Sequence, residues 1–295
     1  MASPNKDSYY LPSESIFPFW GSVTLFVIAF GAANFLNENQ MVPGSYVFFA
    51  GILSISVLFF IWFRKVIQES PTYNLDVDRS FRMSMGWFIF SEVMFFAGFF
   101  GALYYVRQLA VPWLAETDLL WAGYEGGWPT AGPTGAEHIG VDTAVANEDT
   151  QFAHIGPWGL PLLNTALLLT SSVTCTIAHH AIVSGERAKF NFWLALTWIL
   201  GVIFLYYQAQ EYAHAYHELG LTLGTGVYGS TFFMLTGFHG FHVAMGTLIL
   251  FIIWLRSVIG GHFTPQRHFA FEAGAWYWHF VDVVWIGLFI FVYIL

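Results

Sequence analysis

Seven long apolar stretches limit the folds that this chain can adopt. An α-helix rises about 1.5 Å per residue, so crossing roughly 30 Å of hydrocarbon takes about 20 apolar residues. Stretches of this length occur at 16–35, 43–63, 81–109, 157–182, 190–216, 228–255 and 269–295. Only 10% of the 295 residues are charged, whereas a soluble domain typically carries about 25%. The sequence therefore predicts an all-α integral membrane protein with seven transmembrane helices.

The distribution of positive charge supports this count and predicts an orientation. Nine of the ten Lys and Arg residues precede the first stretch or follow the second, fourth and sixth, and only Arg107 falls on the opposite side. The positive-inside rule then places the N-terminus in the cytoplasm and the C-terminus outside. No Lys/Arg patch of the kind that binds nucleic acid is present.

The charges and the apolar stretches together predict how the chain is organised. We interpret residues 1–295 as a single transmembrane domain that begins with a cytoplasmic N-terminus at 1–15. Helices 1 and 2 follow at 16–63, then a basic inner linker at 64–80, and helices 3–7 occupy 81–295. The acidic connection at 111–156, rich in Gly and Pro, is expected to be an irregular outer loop.

One carboxylate lies well inside the third stretch. Ionisable residues at membrane depth are costly and are therefore functional candidates. Glu92 could be a proton-exchanging or lipid-facing carboxyl, or it could form a hydrogen bond to a neighbouring helix. The residues alone leave these two interpretations equally open.

Two pairs of polar residues have spacings that suggest metal ligands. Glu211 and His214 are three positions apart, as in half of a di-iron helix motif, but the matching half and the further Glu residues are not found. A pairing network at the helix end is therefore favoured. His239 and His242 lie among small residues that mark close helix contacts, so we expect them to form hydrogen bonds across those contacts. An independent metalloenzyme remains an alternative.

The last stretch carries a polar stripe. Glu272, Trp276 and His279 fall on one helix face, and Asp282 lies to one side of it. The bulky aromatic residue in the stripe is typical of a packed interface, within the bundle or with a partner subunit. Nothing resembles a nucleophile triad, a phosphate loop or a dinucleotide fingerprint, so no catalytic residue is predicted.

Five ordered motifs resemble subunit III of the haem–copper cytochrome c oxidases. The most specific is HFAFEAGAWYWHFVDVVW at 268–285. The others are SEVMFF at 91–96, PLLNT at 161–165 with AHH at 178–180, VYGSTFF at 227–233, and TGFHGFH at 236–242. The resemblance covers most of the chain from about residue 59 onward, except for the long outer loop.

The resemblance implies a fold and a role. Helices 1–2 and 3–7 would form two bundles separated by a lipid-filled cleft. The chain would be a non-catalytic subunit III of a proton-pumping cytochrome c oxidase, in contact with the catalytic subunit I and with subunit II. It would hold no haem, copper or other metal of its own, because haem and copper belong to the partner subunits. It would stabilise the catalytic subunit, bind structural phospholipid and support proton uptake.

The resemblance also suggests roles for individual residues. Glu92 matches the buried functional carboxyl of the family. Residues matched to lipid contact are Trp62, Phe63, Arg64, Glu69, Arg82 and Arg256. Independently of the resemblance, the pairings and the polar stripe described above predict a structural polar network of Glu211, His214, His239, His242, Glu272, His279 and Asp282. The long outer loop favours a multi-pass protein of the bacterial inner membrane. Two competing interpretations are subunit III of a quinol oxidase and an independent membrane transporter.

Overall fold

The computed structural model describes residues 14–37, 44–70, 75–117, 119–121, 124–133 and 152–295. Within these residues, seven helices are long and apolar enough to cross a membrane, which confirms the predicted all-α membrane fold. They are α1 Phe17–Leu36, α2 Gly44–Glu69, α3 Leu75–Tyr105, α4 Leu160–Val183, α5 Arg187–His217, α6 Gly226–Gly260 and α7 Phe269–Leu288.

Two of the helices continue in π-helical turns. A π-helical turn at Val106–Ala110 and a short α-helical segment at Val111–Ala115 extend α3, and a π-helical turn at Phe289–Ile294 extends α7. Arg107, in the first of these turns, donates a hydrogen bond to the backbone carbonyl of Leu295. Its guanidinium also lies 5.8 Å from the ring centroid of Trp128. The side chain of Arg107, the one basic residue predicted to lie on the outer side, is therefore held by a carbonyl and an aromatic face.

The helices extend beyond several of the apolar stretches. Residues 64–69 belong to α2 and residues 75–80 belong to α3, so most of the predicted inner linker is helical. Residues 71–74 of that linker, most of the predicted N-terminal segment and the middle of the outer loop lie outside the described residues.

Local sequence signals set several helix ends. Pro18 and Pro161 lie in the first turns of α1 and α4, where a missing backbone N–H costs nothing. At the C-terminal end of α6, Gly261 has φ +59°, and its N–H donates to the carbonyl of Ser257. This left-handed conformation suits glycine and stops the helix.

The chain divides into two compact units, one through Phe81 and one from Arg82 onward. In the first, α1 and α2 approach closely because of glycines. A Cβ atom added at Gly51 would lie 2.7 Å from the side chain of Ile28, and one at Gly31 would collide with the backbone of Phe48. Small residues allow such contacts between membrane helices. The predicted lipid-filled cleft concerns the arrangement of the two units and stays a prediction.

The core of the second unit surrounds the fully buried indole of Trp278 in α7. Its Nε1 donates to Ser171 Oγ in α4 at 3.0 Å. A Cβ atom at Gly201 in α5 or at Gly246 in α6 would lie 2.8 Å from the indole ring. Four helices therefore meet at this side chain, and the two glycines leave the space that it fills.

Candidate functional site

The carboxylate within α3 has a partner on α6. Glu92 Oε2 lies 2.9 Å from His242 Nε2. The other ring nitrogen of His242, Nδ1, lies 2.6 Å from the carbonyl of Phe238. Because a carbonyl can only accept, Nδ1 carries a proton, and the contact between Nε2 and Oε2 must hold another. Glu92 and His242 thus form an interhelical pair that shares one proton.

Aromatic rings enclose this pair. The imidazole of His242 meets Phe96 edge-on at 5.0 Å between centroids and stacks on Tyr277 at 6.2 Å. The His242 side chain is only 9% exposed, whereas that of Glu92 is 22% exposed. An apolar enclosure strengthens a hydrogen bond and makes an unpaired partner costly. The carboxyl of Glu92 is therefore the more accessible group of the pair.

A second cluster forms around Glu272, in the first turn of α7. Arg82 Nη2 from α3 lies 2.7 Å from Glu272 Oε2. On the other oxygen, Oε1, His268 Nε2 lies at 3.3 Å and His179 Nε2, from α4, at 3.8 Å. Arg82, which the resemblance matched to lipid contact, thus forms an ion pair with a carboxylate of the chain itself. His268 and Glu272 are four positions apart, as on one helix face, but Arg82 and His179 lie on distant segments, and no sequence signal joins them to this pair.

The predicted stripe on α7 is only partly buried. Glu272 and Asp282 are buried, whereas Trp276 and His279 are more than a third exposed. His279 Nδ1 lies 2.7 Å from Ser172 Oγ in α4 and 3.6 Å from Asp282 Oδ2. The polar end of the stripe therefore links α7 to α4.

Glu211 and His214, the pair with di-iron spacing, do not converge. Glu211 is 1% exposed, and its Oε1 accepts a hydrogen bond of 2.6 Å from the Tyr293 hydroxyl. His214 Nδ1 instead lies 2.9 Å from Glu218 Oε2, and both of these side chains are exposed. The two residues belong to separate contacts at the end of α5.

His239 and His242 also face different partners. His239 is fully buried, and its Nε2 lies 3.2 Å from the carbonyl of Val281 in α7. The centroid of its ring lies 5.0 Å from that of Trp285.

One group of His, Cys, Asp or Glu residues in the described part of the chain has at least three donor atoms close enough to share a metal ion. It consists of His179, His268 and Glu272.

The residues matched to lipid contact on α2 lie in the first unit. Trp62 stacks on Phe17 with ring centroids 5.5 Å apart, and Phe63 and Arg64 are exposed. Glu69 forms an ion pair of 3.8 Å with Lys65. This end of α2 thus carries aromatic rings beside charged side chains.

In the second unit, the side chain of Arg256 is neither fully exposed nor fully buried. Its guanidinium lies 4.9 Å from the ring centroid of Phe263. Arg256 is therefore supported by an aromatic face while part of it remains accessible.

Comparison with known proteins gives a consistent result. The family model described as cytochrome c oxidase subunit III matches residues 7–122 and 145–295. The chain is 38% identical to cytochrome c oxidase subunit 3 of Tetraodon nigroviridis, 37% to that of Danio rerio and 36% to that of Hippopotamus amphibius. Each alignment covers 97% of this chain and 96% of the relative. The family match omits residues 123–144, within the long outer loop.

Proposed function

The chain belongs to the cytochrome c oxidase subunit III family, and on that premise we propose that it is the non-catalytic subunit that supports proton uptake in a proton-pumping oxidase. As a family member it is a subunit of the oxidase complex and a multi-pass membrane protein with seven spans. In the proposal it contacts the catalytic subunit I and subunit II, which hold the haem and copper, and it stabilises the catalytic subunit.

The proposed location is a bacterial inner membrane, with the N-terminus in the cytoplasm and the C-terminus in the periplasm. The placement of nine of the ten basic residues on one side supports the orientation. The omission of residues 123–144 from the family match is consistent with an outer loop longer than usual for the family.

The observation that carries the proposed role in proton uptake is the pair formed by Glu92 and His242. Its two groups share one proton across a contact of 2.9 Å. The backbone carbonyl of Phe238 fixes the orientation of the imidazole. Buried acid and histidine groups of this kind form proton relays in membrane proteins.

Glu92→Gln tests this role in the assembled oxidase. Glutamine has nearly the same size and can still form a hydrogen bond to His242, but it cannot take up or release a proton. We expect the variant to assemble with its partner subunits at the normal ratio and to take up protons more slowly during turnover. Subunit ratios are measured on the purified complex, and uptake is followed with a pH dye in reconstituted vesicles.

Glu218→Gln is a matched control, because Glu218 also contacts a histidine at 2.9 Å but is exposed. It should leave uptake unchanged. If Glu92→Gln loses the catalytic subunit, Glu92 is structural. If Glu92→Gln assembles and takes up protons at the normal rate, the proposed proton role is wrong.

The proposed lipid contact is tested by neutralising Arg64 and Arg256 one at a time. An anionic phospholipid headgroup is attracted by about 1 kcal/mol per basic residue near the surface. Each Arg→Gln variant should therefore retain fewer phospholipids per purified complex, counted by phosphorus analysis and mass spectrometry. Lys189→Gln serves as the control, since Lys189 already pairs with Glu186 at 2.7 Å. An unchanged lipid count in both Arg variants would remove this part of the proposal.

A further inference from the structure

Three donor atoms converge where α4 ends and α7 begins. Glu272 Oε1 has His268 Nε2 at 3.3 Å and His179 Nε2 at 3.8 Å. All three atoms lie within 4.8 Å of one another. The proposed function uses none of these contacts, so they call for a separate explanation.

The spacing suits a tetrahedral zinc ion. Zn–N bonds of about 2.0–2.1 Å and Zn–O bonds of about 2.0–2.2 Å place neighbouring ligand atoms roughly 3.3–3.5 Å apart. The distance of 3.3 Å between His268 Nε2 and Glu272 Oε1 already falls in this range. His179 Nε2 lies 3.8 Å from Glu272 Oε1, about half an ångström beyond this spacing, and within 4.8 Å of the His268 donor atom. Its side chain is 38% exposed, so the imidazole has room to move toward the other two donors.

The hydrogen bonds behind these ligands favour a cation between them. His268 Nδ1 lies 3.1 Å from the carbonyl of Thr264, so this nitrogen is the donor. His268 Nε2 and Glu272 Oε1 then face each other across 3.3 Å, a gap that a shared proton can fill, as in the pair of Glu92 and His242, or that a metal ion can fill in its place. Arg82 binds the second oxygen of Glu272 and leaves Oε1 available. A histidine fixed by a carbonyl and a carboxylate fixed by a second partner are typical of the surroundings of metal ligands.

We propose that His179, His268 and Glu272 form a Zn²⁺ site that joins the end of α4 to the start of α7. Two imidazoles and one carboxylate are a common zinc donor set that leaves the fourth position for water. The exposed side of His179 provides access, because the side chains of His268 and Glu272 are only 8% and 11% exposed. The positive charge of Arg82 opposes the ion, so binding should be reversible and weaker than in a closed structural site. This site departs from the prediction that the chain holds no metal.

The test measures zinc on the intact purified complex. The complex is stripped with a chelator and equilibrated with Zn²⁺, and bound zinc is counted per copy of this chain by elemental mass spectrometry. His179→Gln and His268→Gln should each bind one zinc fewer than the unmodified complex. His180→Gln changes the neighbouring histidine, which is outside the group, and should bind the full number. An equal zinc count in all four proteins, or a similar loss in His180→Gln, would overturn the proposal.

A second measurement does not depend on the folding of any variant. Crystals of the unmodified complex are soaked in Zn²⁺, and anomalous diffraction is recorded at the zinc edge. A peak within bonding distance of the three donor atoms is expected, and its absence overturns the site. Failure of the chain to purify with an oxidase would refute the proposed function instead. In that case the zinc count per purified chain would still test the proposed zinc site.

Discussion

Removal of the Tyr293 hydroxyl should destabilise the second unit through Glu211. The hydroxyl donates to Glu211 Oε1 at 2.6 Å. In the described structure, the other oxygen of this carboxyl has no hydrogen-bond partner. Tyr293→Phe keeps the aromatic ring and removes this bond. The carboxyl would then be buried without the one contact that satisfies it.

The size of the effect follows from burial. Leaving a buried polar group without a partner costs about 1–3 kcal/mol, and interhelical hydrogen bonds in membranes contribute about 0.6 kcal/mol on average and about 1.7 at most. Glu211 is only 1% exposed, so a value near the upper membrane limit is expected. A loss of about 1.5 kcal/mol in stability raises the equilibrium constant for opening of the second unit roughly tenfold.

The single cysteine of the chain provides the assay. Cys175 is fully buried in α4, so a maleimide can react with it only when the second unit opens. Labelling is performed on the intact complex, and the peptide that contains Cys175 is quantified by mass spectrometry. When opening and closing are fast relative to labelling, the ratio of labelling rates gives the ratio of opening constants.

Tyr212→Phe provides the comparison. The Tyr212 hydroxyl contacts Thr236 Oγ1 at 2.7 Å, but Thr236 also donates to the carbonyl of Phe232. Loss of this neutral contact should raise the labelling rate only about twofold, since no buried group becomes unpaired. The reasoning is refuted if Tyr293→Phe labels at the rate of the unmodified chain, or no faster than Tyr212→Phe.

Two further substitutions test other contacts. Gly246→Val should destabilise the second unit by about 1–3 kcal/mol, because even its Cβ would lie 2.8 Å from Trp278. Faster labelling at the buried cysteine would reveal this, and Gly240→Ala, with open space around its Cβ, should behave as the unmodified chain. Arg187→Gln removes hydrogen bonds to the carbonyls that follow α6, including one of 2.6 Å to Phe263. Hydrogen exchange around residues 261–263 should become faster, and unchanged protection there would contradict the assignment.

The helices could be predicted because the cost of crossing hydrocarbon fixes their minimum length. The residues at which the helices end could not be predicted equally well, since they depend on capping glycines and on polar side chains that continue a helix beyond its apolar stretch. The sixth apolar stretch ends at residue 255, yet α6 continues to Gly260, where the left-handed Gly261 stops it. Polar residues at the end of α2 likewise extend that helix to Glu69 beyond its apolar stretch.

The partners within the candidate site depend on how each helix is rotated about its axis, which periodicity alone does not determine. The sequence marks Glu92 as a buried carboxyl, but its pairing with His242 requires the packing of α3 against α6. The resemblance assigns Arg82 to lipid contact, whereas the structure brings it to Glu272. His268 precedes Glu272 by four positions, a spacing that places the two side chains on one helix face, whereas the approach of His179 depends on how α4 packs against α7.

The central claim is that this chain is a subunit of an oxidase whose redox centres belong to other subunits. The most direct measurement is an absorption spectrum and a metal analysis of the complex purified through a tag on this chain in a gentle detergent, before and after the chain is removed. We expect chains that carry haem and copper to co-purify with it, and both cofactors to remain with those chains after its removal. Stoichiometric haem or copper in the separated chain, or a chain that purifies without any haem protein, would contradict the account.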